Sequence, residues 1–258
     1  MNADLRSAVN AGHATTPVLV ADRLRVRYGN GGLGILDVSF RVQPGQIVGV
    51  FGPNGAGKTT SVRAVSGFLR TEGARVIRGR ITLFGHDVTN AEPHRQARLG
   101  VAFVPERNKV FSGLSVAENL AALGRLPRRT RRAELSDFVF TLFPVLADRR
   151  RELAGRLSGG QRQMLALGRA IISDPKLLII DEMSLGLHHS VQPPLFEAVQ
   201  QVAAQGTAVL LVDESTGLAL DSADYCYVLA SGEVADEGKP AKFRGNELIA
   251  AGYVDARP

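Results

Sequence analysis

Three short stretches carry residue types at spacings suited to chemistry on phosphate. The first, Gly52-Pro53-Asn54-Gly55-Ala56-Gly57-Lys58-Thr59, fits G-x-x-x-x-G-K-[ST] and lies between an apolar run at 47–51 and a stretch with helical spacing. Its glycines let consecutive backbone N–H groups converge on an anion with no Cβ in the way, and the helix N-terminus adds partial positive charge. Lys58 is then placed to reach the β- and γ-phosphates and the Thr59 hydroxyl to ligate Mg²⁺, with Thr60 next in line. The second stretch, Leu177-Leu178-Ile179-Ile180-Asp181-Glu182, ends an apolar strand in two carboxylates. Asp181 is expected to hold the metal through water and Glu182 to polarise an attacking water. In the third, Leu157-Ser158-Gly159-Gly160-Gln161, a serine and two glycines expose donors at another helix N-terminus, which makes a second anion site.

The elements that must position these residues alternate. Strand patterns cover 18–28, 35–42 and 46–51, separated by Gly29-Asn30-Gly31-Gly32 and Gln43-Pro44-Gly45. A helix is predicted over 58–69, then strands at 81–84 and 101–104. Residues 113–150 lose strand character and space their apolar residues helically, which reads as a helical lobe inserted into an α/β body. A helix from 158 to 172, a strand at 176–180, a helix at 191–204, a strand at 208–212 and a helix at 216–222 follow, and 225–229 with 233–235 form a hairpin across Ser231-Gly232. This alternation predicts a mostly parallel sheet covered on both faces. Residues 1–16 read as a flexible tail, 17–253 as one domain with the helical part at about 113–160, and 254–258 as a short tail.

Composition narrows the class. The chain has 258 residues, 45% of them hydrophobic and 22% charged, which excludes a disordered or membrane-embedded chain. No run approaches the ~18 apolar residues that span a bilayer, and residues 1–16 lack a charged n-region and an apolar h-region, so neither secretion nor self-insertion is expected. Cys226, the one cysteine, excludes an internal disulfide and a cysteine-based metal site and suits a reducing cytoplasm. The net charge of +6 is concentrated in Arg128, Arg129, Arg131 and Arg132 and in Arg149, Arg150 and Arg151. These flank a helical segment and read as a solvated rim rather than a surface for nucleic acid or anionic membrane. His188 and His189 diverge on a helix and find no third ligand at metal spacing.

With Leu157 to Gln161 as its LSGGQ signature, the sequence resembles the ATP-binding-cassette (ABC) family over 18–253. The resemblance implies a P-loop NTPase of the ABC ATPase type, an α/β fold with a RecA-like parallel-sheet core, an N-terminal antiparallel β subdomain and an inserted α-helical subdomain. It implies ATP and Mg²⁺ as ligands and a head-to-tail dimer in which Ser158, Gly159, Gly160 and Gln161 close on the nucleotide held by a second ATPase subunit. Tyr28 falls where the family stacks an aromatic ring on adenine, with an ordinary strand tyrosine as the alternative. The stretches 33–40, 103–107, 114–120, 164–170 and 184–187 look like the smaller ATPase subunit of branched-chain amino acid importers, the LivF type. That implies transmembrane permease subunits as partners, an extracytoplasmic substrate-binding protein acting indirectly, no nucleic acid, and a place at the cytoplasmic face of the membrane. By the same analogy the permease enters a groove near Glu106 and 113–150 that Phe111, Leu114 and Leu120 line.

The sequence departs from the family at four positions. Glu106 stands where glutamine is usual and is expected to touch the metal and the attacking water, a role open to an anionic oxygen. Glu214 occupies the place of the switch histidine, where a carboxylate repels the γ-phosphate unless protonated or turned away. Met183 replaces a proline, and His188 an aspartate. The expectation is an importer ATPase with catalysis carried by Glu182, Lys58, Glu106 and Glu214 and metal held by Thr59, Glu106 and Asp181. Two alternatives stay open: a soluble cassette acting on nucleic acid, and a nucleotide-binding regulator with weakened hydrolysis.

Overall fold

The computed structural model describes residues 16–244 except 108, 125–126 and 214–216, so both predicted tails and Glu214 lie largely or wholly outside the described residues. Two ten-residue strands, β1 (Leu19–Tyr28) and β2 (Leu33–Val42), alternate buried and exposed residues and pair antiparallel. The next strand, β3 (Ile47–Phe51), is buried throughout and leads into α1 (Lys58–Ser66), which stops where Gly67 takes φ 84°. The predicted helix thus ends three residues early, and Leu69 falls in a 3-10 turn instead.

The strand predicted at 81–84 is the tail of a longer one, β4 (Ala74–Leu83), which pairs with β1 along most of its length. Its middle, Arg78-Gly79-Arg80, is exposed and hides the alternation in the sequence. Gly79 sits there at φ 88°, and a Cβ would lie 2.3 Å from the Asp22 carbonyl oxygen. Then come β5 (His86–Asp87), α2 (Pro93–Leu99) and β6 (Val101–Val104). Three helices follow: α3 (Val116–Ala121), α4 (Arg129–Leu142) and α5 (Pro144–Asp148). The chain returns through α6 (Gly159–Ile172), β7 (Leu177–Asp181), α7 (Gln192–Ala204), β8 (Ala208–Val212), α8 (Gly217–Ser222), β9 (Tyr225–Ala230) and β10 (Glu233–Gly238).

The ten strands form one sheet in the order β5-β4-β1-β2-β10-β9-β3-β8-β7-β6. Five neighbours, β9-β3-β8-β7-β6, are parallel, while β1, β2, β4 and β5 form an antiparallel arm. A single parallel pair, Glu233 with Asp37, joins the arm to the core. The parallel strands are continuous apolar runs because both their faces are covered. Leu178, Ile180, Val209 and Leu211 face a core shared with α6, α7 and the 116–148 helices, whereas Leu177, Ile179, Leu210 and Val212 face one shared with α1 and the arm. Cys226 is buried in β9, which pushes its thiol up to about 12 and leaves it a small core hydrophobe.

Two side chains fix the loops of the helical section. Fully buried Asn119 on α3 donates through Nδ2 to the carbonyls of Phe111, Leu114 and Ser115 (2.9–3.1 Å) and accepts at Oδ1 from the Phe111 N–H at 2.8 Å. Arg169 on α6 donates to the carbonyls of Lys109 (2.9 Å) and Ala122 (3.1 Å) and lies over the Phe111 ring. The arginine clusters form a solvated rim, where Arg131 pairs with Glu134 and Asp174 and Arg149 with Glu152. Replacing Asn119 by Ala orphans the buried groups of the 111–115 loop, so Asn119→Ala is expected to lower unfolding free energy in urea by about 2–4 kcal/mol.

Candidate functional site

Parallel register sets the site. Val50 of β3 pairs with Val212 of β8, Val212 with Asp181 of β7, and Ile180 with Val104 of β6. Neighbouring strands lie about 4.8 Å apart, so four chain segments leave one sheet edge side by side: the 52–59 loop, Asp213, Asp181-Glu182 and Glu106. Carboxyl ends of parallel strands are where open α/β sheets hold ligands.

The glycine loop has the backbone its sequence requires. Gly52 takes φ 144°, with the Leu229 carbonyl oxygen 2.2 Å from where a Cβ would stand, and Gly57 takes φ 101° against the Ile35 side chain. Lys58 is buried, and its Nζ donates to the carbonyls of Gly52 (2.8 Å) and Pro53 (3.1 Å), so the amine bends over its own loop. Pro53, Thr59 and Gly57 are half-buried, Asn54 and Gly55 are exposed, and Ala56 and Thr60 are buried. The Tyr28 hydroxyl shares a 2.9 Å hydrogen bond with Thr60 Oγ1, and its ring edge lies over Gly34, so this tyrosine braces the first turn of α1. Tyr28 also borders a hollow lined by Arg27, Arg70 and Arg75.

Asp181 closes β7 at 3% exposure, and its Oδ1 has no hydrogen-bond partner among the described residues. Burial pushes its carboxyl up to about 6, against the pull of the Arg63, Lys58 and Lys109 charges, while the Glu106 carboxylate adds to the rise. A buried carboxylate with an open oxygen beside a phosphate cradle suits a hard divalent cation, so Thr59, Asp181 and Glu106 are a chemically fitting donor set for Mg²⁺. Glu182 is nearly buried at φ 49°, with its N–H donating to the Val212 carbonyl at 2.8 Å. A proline at 183 would bias Glu182 toward extended backbone. Met183 removes that bias and puts its side chain into the core instead.

Glu106 is partly exposed and accepts from Arg107 Nε at 2.9 Å. It shares the wall of a cleft of about 730 Å³ with Asp181, Lys109, Phe111, Arg169 and the buried Gln96. Phe111, 52% exposed, stands in this groove as expected, whereas Leu114 and Leu120 do not line it. Leu120 is buried under Gly168 of α6, because α3 turns its apolar face to that helix.

At the head of α6, Ser158 and Gln161 form a capping box, Gln161 N–H to Ser158 Oγ at 3.3 Å and Ser158 N–H to Gln161 Oε1 at 3.0 Å. Ser158 and Gly159 stay exposed. Gly160 is buried against a 3-10 turn, His189–Val191, and a Cβ there would lie 2.3 Å from Val191 Cγ1. His188 caps that turn, its Nδ1 accepting from the Ser190 N–H at 3.3 Å, so the imidazole does the capping work open to an aspartate.

Two participants were not legible beforehand. Buried Asp213 accepts from Ser184 Oγ (2.8 Å) and N–H (3.2 Å), joining the segment after β7 to the end of β8. Its signal was an acidic residue ending an apolar strand, the same one that marked Asp181. Lys109 has no motif at all.

The ABC transporter family matches residues 35–184. The chain is 37% identical over 218 residues to the high-affinity branched-chain amino acid transport ATP-binding protein BraG of Pseudomonas aeruginosa, covering 84% of this chain and 91% of that one. It is 28% identical over 240 residues to the lipopolysaccharide export system ATP-binding protein LptB of Haemophilus influenzae, covering 92% and 97%. Among solved structures, the ADP conformation of MJ1267, an ATP-binding cassette of an ABC transporter, superposes with a TM-score of 0.78 at 23% identity over 94% of this chain and all of that one.

The raised Asp181 carboxyl has a consequence for stability. Between the ordinary carboxylate range near 4 and about 6 the folded state holds a proton that the unfolded state has lost, so stability drains as pH rises through that window and stays lost above it. In EDTA without nucleotide, Asp181→Asn is expected to stabilise the protein at pH 8 by on the order of 2 kcal/mol, with the gain gone at pH 4. Chemical denaturation at the two pH values checks this.

Proposed function

The chain belongs to the ABC transporter family and hydrolyses ATP as a subunit of that kind, and from this premise we propose that it energises an importer for branched-chain or related amino acids. The observation that carries the reading is the common edge at which β3, β8, β7 and β6 deliver the phosphate cradle and the carboxylates. Import is favoured over export by the higher identity to the branched-chain relative than to the lipopolysaccharide one. One ABC ATPase domain spans 17–253, with the helical subdomain at about 113–160.

In the proposed reaction the N–H groups of Gly52, Asn54, Gly55, Ala56, Gly57, Lys58, Thr59 and Thr60 surround the phosphates, Pro53, which has no N–H, shapes the loop, and Tyr28 stands at the adenine end. Lys58 swings from its loop carbonyls to the β- and γ-phosphate oxygens. Thr59, Asp181 and Glu106 would hold Mg²⁺, which would supply positive charge against the phosphates. Glu182 orients the attacking water and draws off its proton as the water oxygen bonds to the γ-phosphorus and the bond to ADP breaks. A second ATPase subunit supplies its own 158–161 turn to the same γ-phosphate, for which exposed Ser158 and Gly159 are suitably placed. No helix among the described residues is long and apolar enough to cross a membrane. Separate permease subunits therefore complete the transporter in this reading, with this chain peripheral at the cytoplasmic face and the cleft around Phe111 and Glu106 as their docking groove. A substrate-binding protein acts outside the membrane.

Glu182→Gln is expected to cut steady-state Mg-ATP hydrolysis by about 10²-fold or more while an ATP-dependent dimer persists in size-exclusion chromatography. Loss of both nucleotide binding and dimer in this variant would sink the assignment. Glu214 is proposed to slow turnover by repelling the γ-phosphate. Glu214→Gln and Glu214→His should then raise the rate severalfold, and unchanged turnover in both would remove that role.

A further inference from the structure

Where β1 ends and β4 begins, Arg27 and Arg75 stand directly opposite each other in the antiparallel register. Both are exposed, and neither has an ion pair or a side-chain hydrogen bond among the described residues. Like charges facing across a ladder cost stability. The next opposed pair, Arg25 with Arg78, differs, because Arg25 Nε donates to the Leu36 carbonyl at 2.9 Å. A third arginine joins the first pair. Arg70, in the 3-10 turn Phe68–Glu72 before β4, lines with them a hollow of about 720 Å³ whose walls also include Tyr28, Gly73 and Asn90.

The walls are fixed by backbone bonds. Gly73 at φ 67° closes the turn, its N–H donating to the Arg70 carbonyl at 3.1 Å, and so brings Arg70 and Arg75 to one side. Asn90 donates to the Val76 carbonyl at 2.9 Å and accepts from the Val76 N–H at 2.8 Å. No acidic residue among the described residues lines the hollow. Glu92, 3.5 Å from Arg70, neutralises little, since both side chains are more than half exposed. Three guanidinium groups from three chain segments thus meet on a concave surface of small-ligand size. Each offers paired N–H donors that match two phosphate oxygens.

We propose that this hollow is a second anion site, which takes a small ligand carrying two or more linked phosphate groups. Linked phosphates put several negative charges into a volume that three guanidinium groups can surround, which a single carboxylate does not. The site shares no residue with the 52–60 loop: that loop offers backbone N–H groups, and the hollow offers side chains. Tyr28 stands between the two, its hydroxyl on Thr60 Oγ1 at 2.9 Å and its residue at the rim of the hollow. A bound anion also offsets the repulsion between Arg27 and Arg75, so occupancy stabilises this end of the arm.

The test titrates inorganic pyrophosphate into the full chain by calorimetry, in EDTA without nucleotide and at fixed ionic strength. The parent should show two sites, one at the glycine loop and one in the hollow, and Lys58→Ala should keep the second. Arg27→Gln and Arg75→Gln should each weaken the hollow site about tenfold and leave the loop site as it is. Arg78→Gln, on the same strand but outside the hollow, should change neither. A single parent site that Lys58→Ala abolishes overturns the proposal, as does a second site that Arg78→Gln weakens as much as Arg75→Gln does. Pelleting with phosphatidylglycerol vesicles separates a lipid headgroup from a free ligand. Vesicle binding that Arg27→Gln and Arg75→Gln abolish, with no second pyrophosphate site in the parent, assigns the arginines to a membrane surface and overturns the small-ligand site.

Discussion

Everything at the site depends on four parallel strands ending in register, three of them, β3, β8 and β7, buried throughout. Because β3, β8, β7 and β6 carry apolar residues on both faces, a slip of one residue would exchange the two cores and move every candidate site side chain to the wrong side of the edge. The register therefore serves packing first, and the alignment of the glycine loop, Asp213, Asp181 and Glu106 is its by-product.

Charge at that edge is arranged around one costly group. Asp181 is buried at a strand end where water cannot solvate it, and Lys58, Arg63 and Lys109 only partly offset that cost. Holding a carboxylate in such a place is unfavourable for stability and favourable for gripping a divalent cation, the usual trade between a stable and a working site. Lys58 meets the same constraint by bonding the carbonyls of its own loop, so its amine is neither desolvated without partners nor locked away from phosphate.

The 116–148 helices share one apolar core with α6, α7 and the strands, and at the cleft a few polar contacts add to that packing. Asn119 shapes the loop at 111–115, Arg169 holds the segment around Lys109, and Gly160 lets α6 approach the turn at His189–Val191. Such contacts break and re-form at modest cost, whereas the packed strands do not. The division suits a molecule in which one body holds phosphate rigidly and the other presents a turn and a groove to partners.

How much of this could be read beforehand differs by element. The glycine loop, the acidic strand end and the 157–161 turn were legible in sequence, because each is local: a φ that only glycine takes readily, a run that must be buried, a serine that caps a helix. The parallel core was legible for the same reason, since two-sided burial writes an unbroken apolar run. The start of β4 was not, because Arg78-Gly79-Arg80 interrupts its alternation on the exposed arm. Leu120 was assigned to the groove because spacing identifies an apolar face without saying which neighbour covers it. The bond from Ser184 to Asp213 and the hold of Gln163 and Arg169 on Lys109 span 29 and 54 or more residues, so no local pattern records them. By itself the sequence determined the fold class and marked the glycine loop, the acidic strand end and the 157–161 turn as candidate site segments. Only the tertiary structure decided which buried charges face one another, because that depends on strand order and on where chain segments distant in sequence come to rest.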